Sequence, residues 1–267
     1  MPTYTTDDQV NISYRIEGEG DRPVLMIHGW MMSGGVYDDV LARLDRRGHR
    51  FVVPDLRGAG GSDKPATGYT LERYARDLLG LMESLGHDTF AVVGHSMGGQ
   101  IAQLVAATAP ERVRGVAALC PVPASGVPLP ADARGLFRGA TSAEPQGIIL
   151  GLACKELSDA AKERLLGLGA TVAAECIAAS FDAWTGGGFA DRLGSITAPT
   201  LVVATDDPFL PPDFLRAAVV DPIAGARLAH LPGPGHYVQV ERPVETAAIL
   251  EAFLAGLGAG ASAQRAS

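Results

Sequence analysis

The chain has 267 residues, of which 47% are hydrophobic and 19% charged, and this composition is typical of a globular protein rather than a disordered one. Its formal net charge is −8. Nucleic-acid-binding proteins usually carry a basic face, so we expect no nucleic-acid partner and attribute the acidity to solubility.

The three cysteines, Cys120, Cys154 and Cys176, are widely spaced and form no C-x-x-C pair. This pattern argues against a zinc or redox motif and favours buried free thiols in a reducing compartment. Residues 1–8 are polar and lack the basic-then-apolar order of a signal peptide. No apolar run approaches the ~20 residues that span a bilayer. We therefore expect a cytoplasmic protein without a membrane partner, while a homodimer stays open.

Short apolar runs alternate with amphipathic segments along most of the chain. The apolar runs predict strands at 3–5, 10–16, 24–27, 51–53, 90–93, 113–119, 200–203 and 227–231. Helical spacing predicts helices at 36–46, 71–85, 101–109, 213–220 and 243–254. A continuous run such as Val24–Ile27 is typical of a strand buried on both faces of a parallel sheet. The alternation predicts an α/β protein with a doubly wound, mostly parallel sheet.

The alternation breaks in the middle of the chain. Residues 121–195 contain no convincing strand, begin with a proline-rich stretch, and show helical patterns around 147–157, 160–168 and 172–184. We interpret this segment as a helical cap over the carboxyl ends of the strands, where such sheets bind their ligands. The core would then comprise 1–120 and 196–256, and the Gly/Ala/Ser-rich residues 257–267 predict a flexible tail.

Residues 94–98 read Gly-His-Ser-Met-Gly and lie between a predicted strand and a predicted helix. The pattern G-x-S-x-G in this setting predicts a nucleophile elbow, whose sharp turn leaves no room for side chains at the glycines. The turn would raise Ser96 Oγ above the sheet and direct the Met97 amide at developing negative charge. The alternative is an N-cap serine, which the strand–turn–helix context makes less favourable.

Four motifs together resemble those of the α/β-hydrolase superfamily over nearly the whole chain. They are His28–Trp30 after a strand, the glycine-rich segment Asp55–Ser62, the elbow, and Gly235-His236 near the end. The sequence is most similar to the small bacterial aryl esterases and cofactor-free perhydrolases of the haloperoxidase type, which pair a His-Gly-Trp segment with a Ser-Met-Gly-Gly elbow. The resemblance implies the α/β-hydrolase fold and a serine hydrolase that needs no metal or organic cofactor.

The resemblance also implies the general base. His236 follows a strand in the glycine-rich loop 232–235, from which an imidazole reaches across to the nucleophile. The other histidines have structural interpretations: His28 and His95 hold motif loops together, and His49, His87 and His230 are peripheral.

The acid is harder to assign. The family pattern places Asp after a glycine and two variable residues, but residues 204–208 (Ala-Thr-Asp-Asp-Pro) lack the glycine and are one residue short. Asp206 and Asp207 are the candidates, and the positions of Pro208 and Pro211 favour Asp207. Its role would be to orient the general base and stabilise the imidazolium.

By position, the backbone amides of Trp30 and Met97 would form the oxyanion hole. We interpret Asp55–Ser62, with Arg57, as a loop that braces the floor of the site. The rival interpretation, phosphate binding, lacks the Lys-Ser/Thr ending of a P-loop.

These assignments predict hydrolysis of a small or medium, uncharged carboxylic ester through an acyl-enzyme. Apolar cap residues are candidates to line the pocket: Leu136, Phe137, Ile148, Ile149, Leu152, Ile177, Phe181 and Trp184. The substrate-binding set we select is Trp30, Phe137, Ile149, Phe181, Trp184 and Tyr237.

Other activities of this superfamily use the same combination of serine, histidine and aspartate. A lactonase, a perhydrolase and a carbon–carbon bond hydrolase are enzymatic alternatives, and a non-catalytic ligand receptor of this fold is the alternative from another class. Ser96 at the elbow disfavours dehalogenases and epoxide hydrolases, which carry Asp there. Tyr237 disfavours hydroxynitrile lyases, which carry a lysine beside the histidine.

Overall fold

Eight strands form one sheet in the order β1-β2-β4-β3-β5-β6-β7-β8 in the computed structural model, which describes residues 1–263. Strands β3 to β8 are parallel, while β1 and β2 run antiparallel at one edge. The strands are β1 (Thr3–Thr5), β2 (Asn11–Glu17), β3 (Arg22–Ile27), β4 (His49–Pro54), β5 (Phe90–His95), β6 (Val113–Leu119), β7 (Thr200–Thr205) and β8 (Arg227–Leu231). The predicted fold class and all eight predicted strands are confirmed.

Helices flank and cap this sheet. They are α1 (Asp38–Leu41), α2 (Leu71–Ser84), α3 (Met97–Thr108), α4 (Ala131–Arg138), α5 (Ala143–Ala153), α6 (Asp159–Gly169), α7 (Ala174–Gly186), α8 (Pro212–Leu215), α9 (Val238–Glu241) and α10 (Pro243–Ala263). Short 3₁₀ segments cover Gly34–Tyr37 and Ala190–Ser195, and a π-helical turn covers Arg216–Val220.

Two helix predictions need correction, and one helix was not predicted. In place of the helix predicted at 36–46, the chain forms the 3₁₀ segment and then α1, which ends at Leu41, whose carbonyl accepts from the Arg46 guanidinium. Helix α4 was not predicted, although Pro130 before it and Gly139 after it are helix start and stop signals. Helix α10 continues to Ala263 rather than ending at 254, and residues 264–267 of the predicted tail lie outside the described residues.

The core lies on both faces of the central strands. Leu25, Met26 and Ile27 of β3 are fully buried, as a continuous apolar strand between two helical layers requires. Leu78 and Met82 of α2, one turn apart, are also fully buried. Each such side chain contributes roughly 1.5–3 kcal/mol when removed from water.

The chain reverses its direction across the sheet between β3 and β5. From β3 the chain first forms β4 on one side of β3 and then β5 on the other. The loops after β3 and β5 therefore meet at a topological switch point, where open α/β sheets bind ligands. Helices α4–α7 follow β6 in the chain and precede β7, as the cap prediction requires; the boundaries 121 and 195 stay a prediction.

Within residues 1–263, no single helix has the length and apolar character needed to cross a membrane. Taken together, α6 and α7 have sufficient length and apolar composition, but the two helices meet at a bend of 101°.

The segment Asp55–Ser62 is held by its own polar groups. The Asp55 carboxylate accepts hydrogen bonds from the backbone N–H of Gly34 and Gly61, both at 2.8 Å. The Ser62 hydroxyl donates to the carbonyl of Asp55 at 2.5 Å. These contacts agree with the structural interpretation of this segment.

Arg57 of the same segment is almost fully buried and lies between two carboxylates. Its Nε donates to Asp77 at 2.6 Å, and its Nη atoms donate to Asp8 at 2.9 and 3.0 Å. Arg73 also contacts Asp77, one helical turn away. The Arg57 guanidinium is thus neutralised by carboxylates of the protein itself rather than offered to a phosphate.

We expect Arg57→Met to lower the free energy of unfolding by about 3 kcal/mol, because removing one partner leaves Asp77 buried without its main counter-ion. Arg76→Met is the matched control. Arg76 is exposed and contacts Asp7 only at 3.6 Å, so its loss should cost less than about 1 kcal/mol. Urea unfolding of both variants measures the difference, and equal losses would contradict the assigned role of Arg57.

Candidate active site

The elbow at Ser96 has the geometry that its glycines predict. Ser96 adopts φ 56° and ψ −122°, in a region that L-residues rarely occupy and that costs conformational energy. A Cβ at Gly94 would lie 2.2 Å from the carbonyl oxygen of Gly98. A Cβ at Gly98 would lie 2.2 Å from the carbonyl oxygen of Ile27. Only glycine fits at either position, so the turn is built into the sequence.

Neighbouring strands hold the strained residue in place. The Ser96 N–H donates to the carbonyl of Leu119 at the end of β6, at 3.0 Å. The Ser96 carbonyl in turn accepts from the N–H of Val122, at 3.1 Å. The nucleophile candidate is therefore tied to both the sheet and the start of the cap segment.

Three side chains distant in sequence form one hydrogen-bonded line. Ser96 Oγ lies 2.8 Å from His236 Nε2, and His236 Nδ1 lies 2.5 Å from Asp207 Oδ2. The other oxygen of Asp207 accepts from the N–H of Phe209 at 2.8 Å. With Asp207 ionised, Nδ1 carries the proton and Nε2 is free to accept from the serine hydroxyl. The structure thus brings together the serine, histidine and aspartate that the sequence singled out.

The neighbouring acid candidate points elsewhere. Asp206 accepts from the N–H of Gly233 at 3.1 Å and contacts Nε2 of His230 at 3.0 Å. The Gly233 and His230 hydrogen bonds lower the pKa of the Asp206 carboxyl. Asp206 is also partly exposed, whereas the Asp207 side chain is fully buried. Of the two candidates, only Asp207 meets the imidazole of His236.

Parallel pairing explains why these residues converge. Strands β7 and β8 end side by side, with Thr205 opposite Leu231, so the loops that follow them share one edge of the sheet. The Thr205 hydroxyl donates to the carbonyl of Gly235 at 2.8 Å. The N–H of Asp206 donates to the carbonyl of Pro234 at 3.1 Å. The loop that bears the histidine is therefore fastened to the strand that bears the aspartate.

The two amides assigned to the oxyanion hole belong to segments that adjoin the serine. A Cβ on Gly29 would lie 3.1 Å from Cβ of Ser96, so the loop that carries Trp30 passes directly against the nucleophile. Met97 is the first residue of α3, where a backbone N–H lacks an intrahelical acceptor. Binding of an oxyanion by these two groups stays a prediction.

His28 and His95 support the loops, as expected from their positions. His28 Nε2 accepts from the N–H of Leu56 at 2.9 Å, so its proton lies on Nδ1, 2.8 Å from the carbonyl of Gly29. His95 Nε2 donates to the carbonyl of His236 at 2.9 Å. Burial lowers the pKa of both rings, which are therefore neutral at neutral pH.

Ser96 and His236 open into an apolar cavity of about 60 Å³. Its lining contains no Asp, Glu, Lys or Arg among the described residues. The lining residues are Trp30, Ser96, Val122, Val127, Leu129, Phe137, Ile149, Ala153, Trp184, Phe209, Leu210, His236 and Tyr237.

Five of the six residues selected for substrate binding line this cavity. Phe181 does not, so its assignment to the lining is corrected. It is fully buried and packs perpendicular to Trp184, with the ring centroids 5.1 Å apart, so it supports the wall from behind. Trp30 stacks on Phe137 at 5.7 Å and donates from Nε1 to the carbonyl of Ile177 at 2.9 Å. The Trp30 ring thus connects the loop after β3 to the cap.

Other cap candidates lie outside the lining. Ile148 and Leu152, one turn apart on α5, are half exposed, whereas Ile149 is buried. Sequence reasoning also missed lining residues in irregular segments: Val122, Val127 and Leu129 before α4, and Phe209 and Leu210 after the aspartate. The only signal for these residues was their position in the sequence, shortly after β6 or directly after Asp207.

Potential metal ligands meet at the same place. The Cys120 thiol, a carboxylate oxygen of Asp207 and a ring nitrogen of His236 lie within 4.8 Å of one another. Burial raises the pKa of the Cys120 thiol, which keeps it protonated, and the other two groups already bond to each other. A second cluster, Asp7, Asp8 and Asp77, is neutralised by the arginines described above.

Comparisons with known proteins identify the family. The sequence profile of a family described as alpha/beta hydrolase fold matches residues 22–139. A non-heme haloperoxidase from Rhodococcus erythropolis is 30% identical over 255 residues, which cover 88% of this chain and 93% of that protein. The chain therefore belongs to the α/β-hydrolase family.

Solved structures extend the comparison. Est816, described as an N-acyl homoserine lactone degrading enzyme, is 30% identical with a TM-score of 0.79, over 94% of this chain and 100% of that one. An esterase from Exiguobacterium antarcticum has a TM-score of 0.88 over 94% of this chain and 98% of that one. The latter is 23% identical, so it supports the fold alone.

Proposed function

We propose that this protein is a serine hydrolase that cleaves small, uncharged carboxylic esters through an acyl-enzyme. The observation that carries the proposal is the line of hydrogen bonds from Ser96 through His236 to Asp207, at 2.8 and 2.5 Å, beside an apolar cavity. The 30% identity to Est816, described as an N-acyl homoserine lactone degrading enzyme, adds support.

The proposed reaction has two halves. His236 Nε2 takes the proton of Ser96 Oγ as the oxygen attacks the ester carbonyl, and Asp207 stabilises the resulting imidazolium. The N–H groups of Trp30 and Met97 hold the negative oxygen of the tetrahedral intermediate. The imidazolium then gives its proton to the leaving alcohol, and an acyl-serine remains. Water activated by His236 releases the carboxylic acid and regenerates the hydroxyl.

The cavity supports the limits set on the substrate. A site for one water needs about 10–15 Å³, so a cavity of about 60 Å³ suits a group of a few heavy atoms beside Ser96. A charged substrate group would lose its hydration against Trp30, Phe137 and Trp184 without gaining a counter-ion. A short acyl or alcohol group without charge fits this space best.

Ser96→Ala should lower kcat for p-nitrophenyl acetate by at least about 10³-fold, because the nucleophile is removed. Ser142→Ala is the control, since Ser142 is exposed and its side chain makes no cap hydrogen bond. A fluorophosphonate probe should label wild type and the control but not Ser96→Ala. Wild-type protein that is folded yet unlabelled would favour the ligand-receptor alternative.

Adjacent aspartates offer a matched pair of variants. Asp207→Asn should lower kcat roughly 10³–10⁴-fold, because the amide no longer holds the imidazole in the reactive tautomer. Asp206→Asn should leave kcat close to that of wild type, since Asp206 contacts Gly233 and His230 instead. Kinetics with p-nitrophenyl acetate measure both, and a larger effect at Asp206 would overturn the assignment.

Lactone hydrolysis is the second candidate, favoured by the similarity to Est816. A lactone is a cyclic ester, so the same steps apply while the leaving alcohol stays attached to the acyl group. We expect turnover of at least one of γ-butyrolactone and a short-chain N-acyl homoserine lactone, followed by release of acid. Activity on p-nitrophenyl esters alone would exclude this candidate, and peracid formation with added hydrogen peroxide would indicate the perhydrolase alternative.

A further inference from the structure

Glu241 carries a carboxylate that accepts four backbone hydrogen bonds. Its Oε2 accepts from the N–H of Gly235 at 2.9 Å and from those of Lys155 and Glu156, both at 2.8 Å. Its Oε1 accepts from the N–H of Tyr237 at 3.1 Å. A side chain that satisfies four main-chain donors fixes the segments that bear them, and its charge strengthens each bond.

The four donors belong to two segments with different functions. Gly235 and Tyr237 flank the proposed general base, His236, on both sides. Lys155 and Glu156 form the turn between α5 and α6 of the cap. One carboxylate therefore joins the loop that carries the imidazole to the cap that covers the cavity.

Close backbone packing surrounds this junction. The N–H of His236 donates to the carbonyl of Ala153 at 2.9 Å. A Cβ on Gly235 would lie 2.2 Å from that same oxygen, so only glycine lets the loop approach the end of α5. Outside the junction, Arg242 Nη2 bonds to Glu156 Oε1 at 2.7 Å.

We propose that Glu241 is a positioning residue, whose ionised carboxylate holds the backbone on both sides of His236 and ties it to the cap turn at 155–156. The imidazole then points at Ser96 and Asp207 only while both segments are held. The effect on turnover rests on the proposed function, whereas the effect on the His236–Asp207 hydrogen bond does not.

The test is Glu241→Gln, which keeps the size of the side chain but turns one acceptor into a donor facing backbone N–H groups. We expect kcat for p-nitrophenyl acetate to fall roughly 10–100-fold, since misplacing a reacting group by about 1 Å has effects of this size. KM should change little, because Glu241 does not line the cavity. Glu245→Gln is the control, since Glu245 is partly exposed and its carboxylate pairs with Arg242, at 3.3 Å, rather than with backbone N–H groups near His236.

A second readout follows the imidazole directly. The short hydrogen bond between His236 Nδ1 and Asp207 should give a far-downfield proton resonance in the wild-type NMR spectrum. This resonance should weaken or shift in Glu241→Gln and stay unchanged in Glu245→Gln, at a temperature where circular dichroism shows all three proteins folded.

The outcomes separate the two proposals. An inactive, unlabelled wild type would overturn the proposed function, while the resonance would still test Glu241. An active wild type with an unchanged resonance and kcat in Glu241→Gln would overturn the positioning role. If Glu241→Gln does not fold, Glu241→Asp takes its place, because its carboxylate keeps the charge but is one methylene too short to reach both segments. Wild-type kcat and resonance in a folded Glu241→Asp would then overturn the role.

Discussion

The left-handed backbone at Ser96 is the constraint on which the rest of the site depends. A serine in this conformation is strained, and it persists because its surroundings leave no alternative. Strand β5 is buried along its whole length, α3 starts immediately after the serine, and Gly98 packs against the carbonyl of Ile27. The strain is thus offset by the core of the sheet, and it places the hydroxyl above the strand ends.

The imidazole has no comparable scaffold of its own. His236 lies in a loop, so its position depends on neighbours: Thr205 from β7, Ala153 from the cap and the Glu241 carboxylate from α9. The serine is positioned by the sheet and the histidine by contacts between core and cap. The alignment of the two side chains therefore depends on contacts between the core and helices α4–α7.

The sequence was most informative where buried strands and glycine spacing impose a pattern. The strand positions followed from apolar runs, and the elbow followed from Gly94 and Gly98, because close packing leaves no freedom there. Periodicity gave no guidance in irregular segments, so Phe209 was missed as part of the cavity lining. Phe181 was misassigned for a related reason: an aromatic residue in a cap helix is equally suited to the cavity wall and to the layer behind it.

Tertiary contacts determine residue roles that a local sequence pattern leaves undecided. The choice between Asp206 and Asp207 is one example, and the role of Glu241 is another. Successive residues of an extended chain point to opposite sides, so one aspartate reaches the buried imidazole and the other turns to Gly233. The register of the loop determines which of the two aspartates faces His236, and the pairing of β7 with β8 sets that register. The same argument applies to Glu241, whose partners at 155 and 156 are more than eighty residues away in the chain. Its function lies in joining segments that a sequence pattern treats separately.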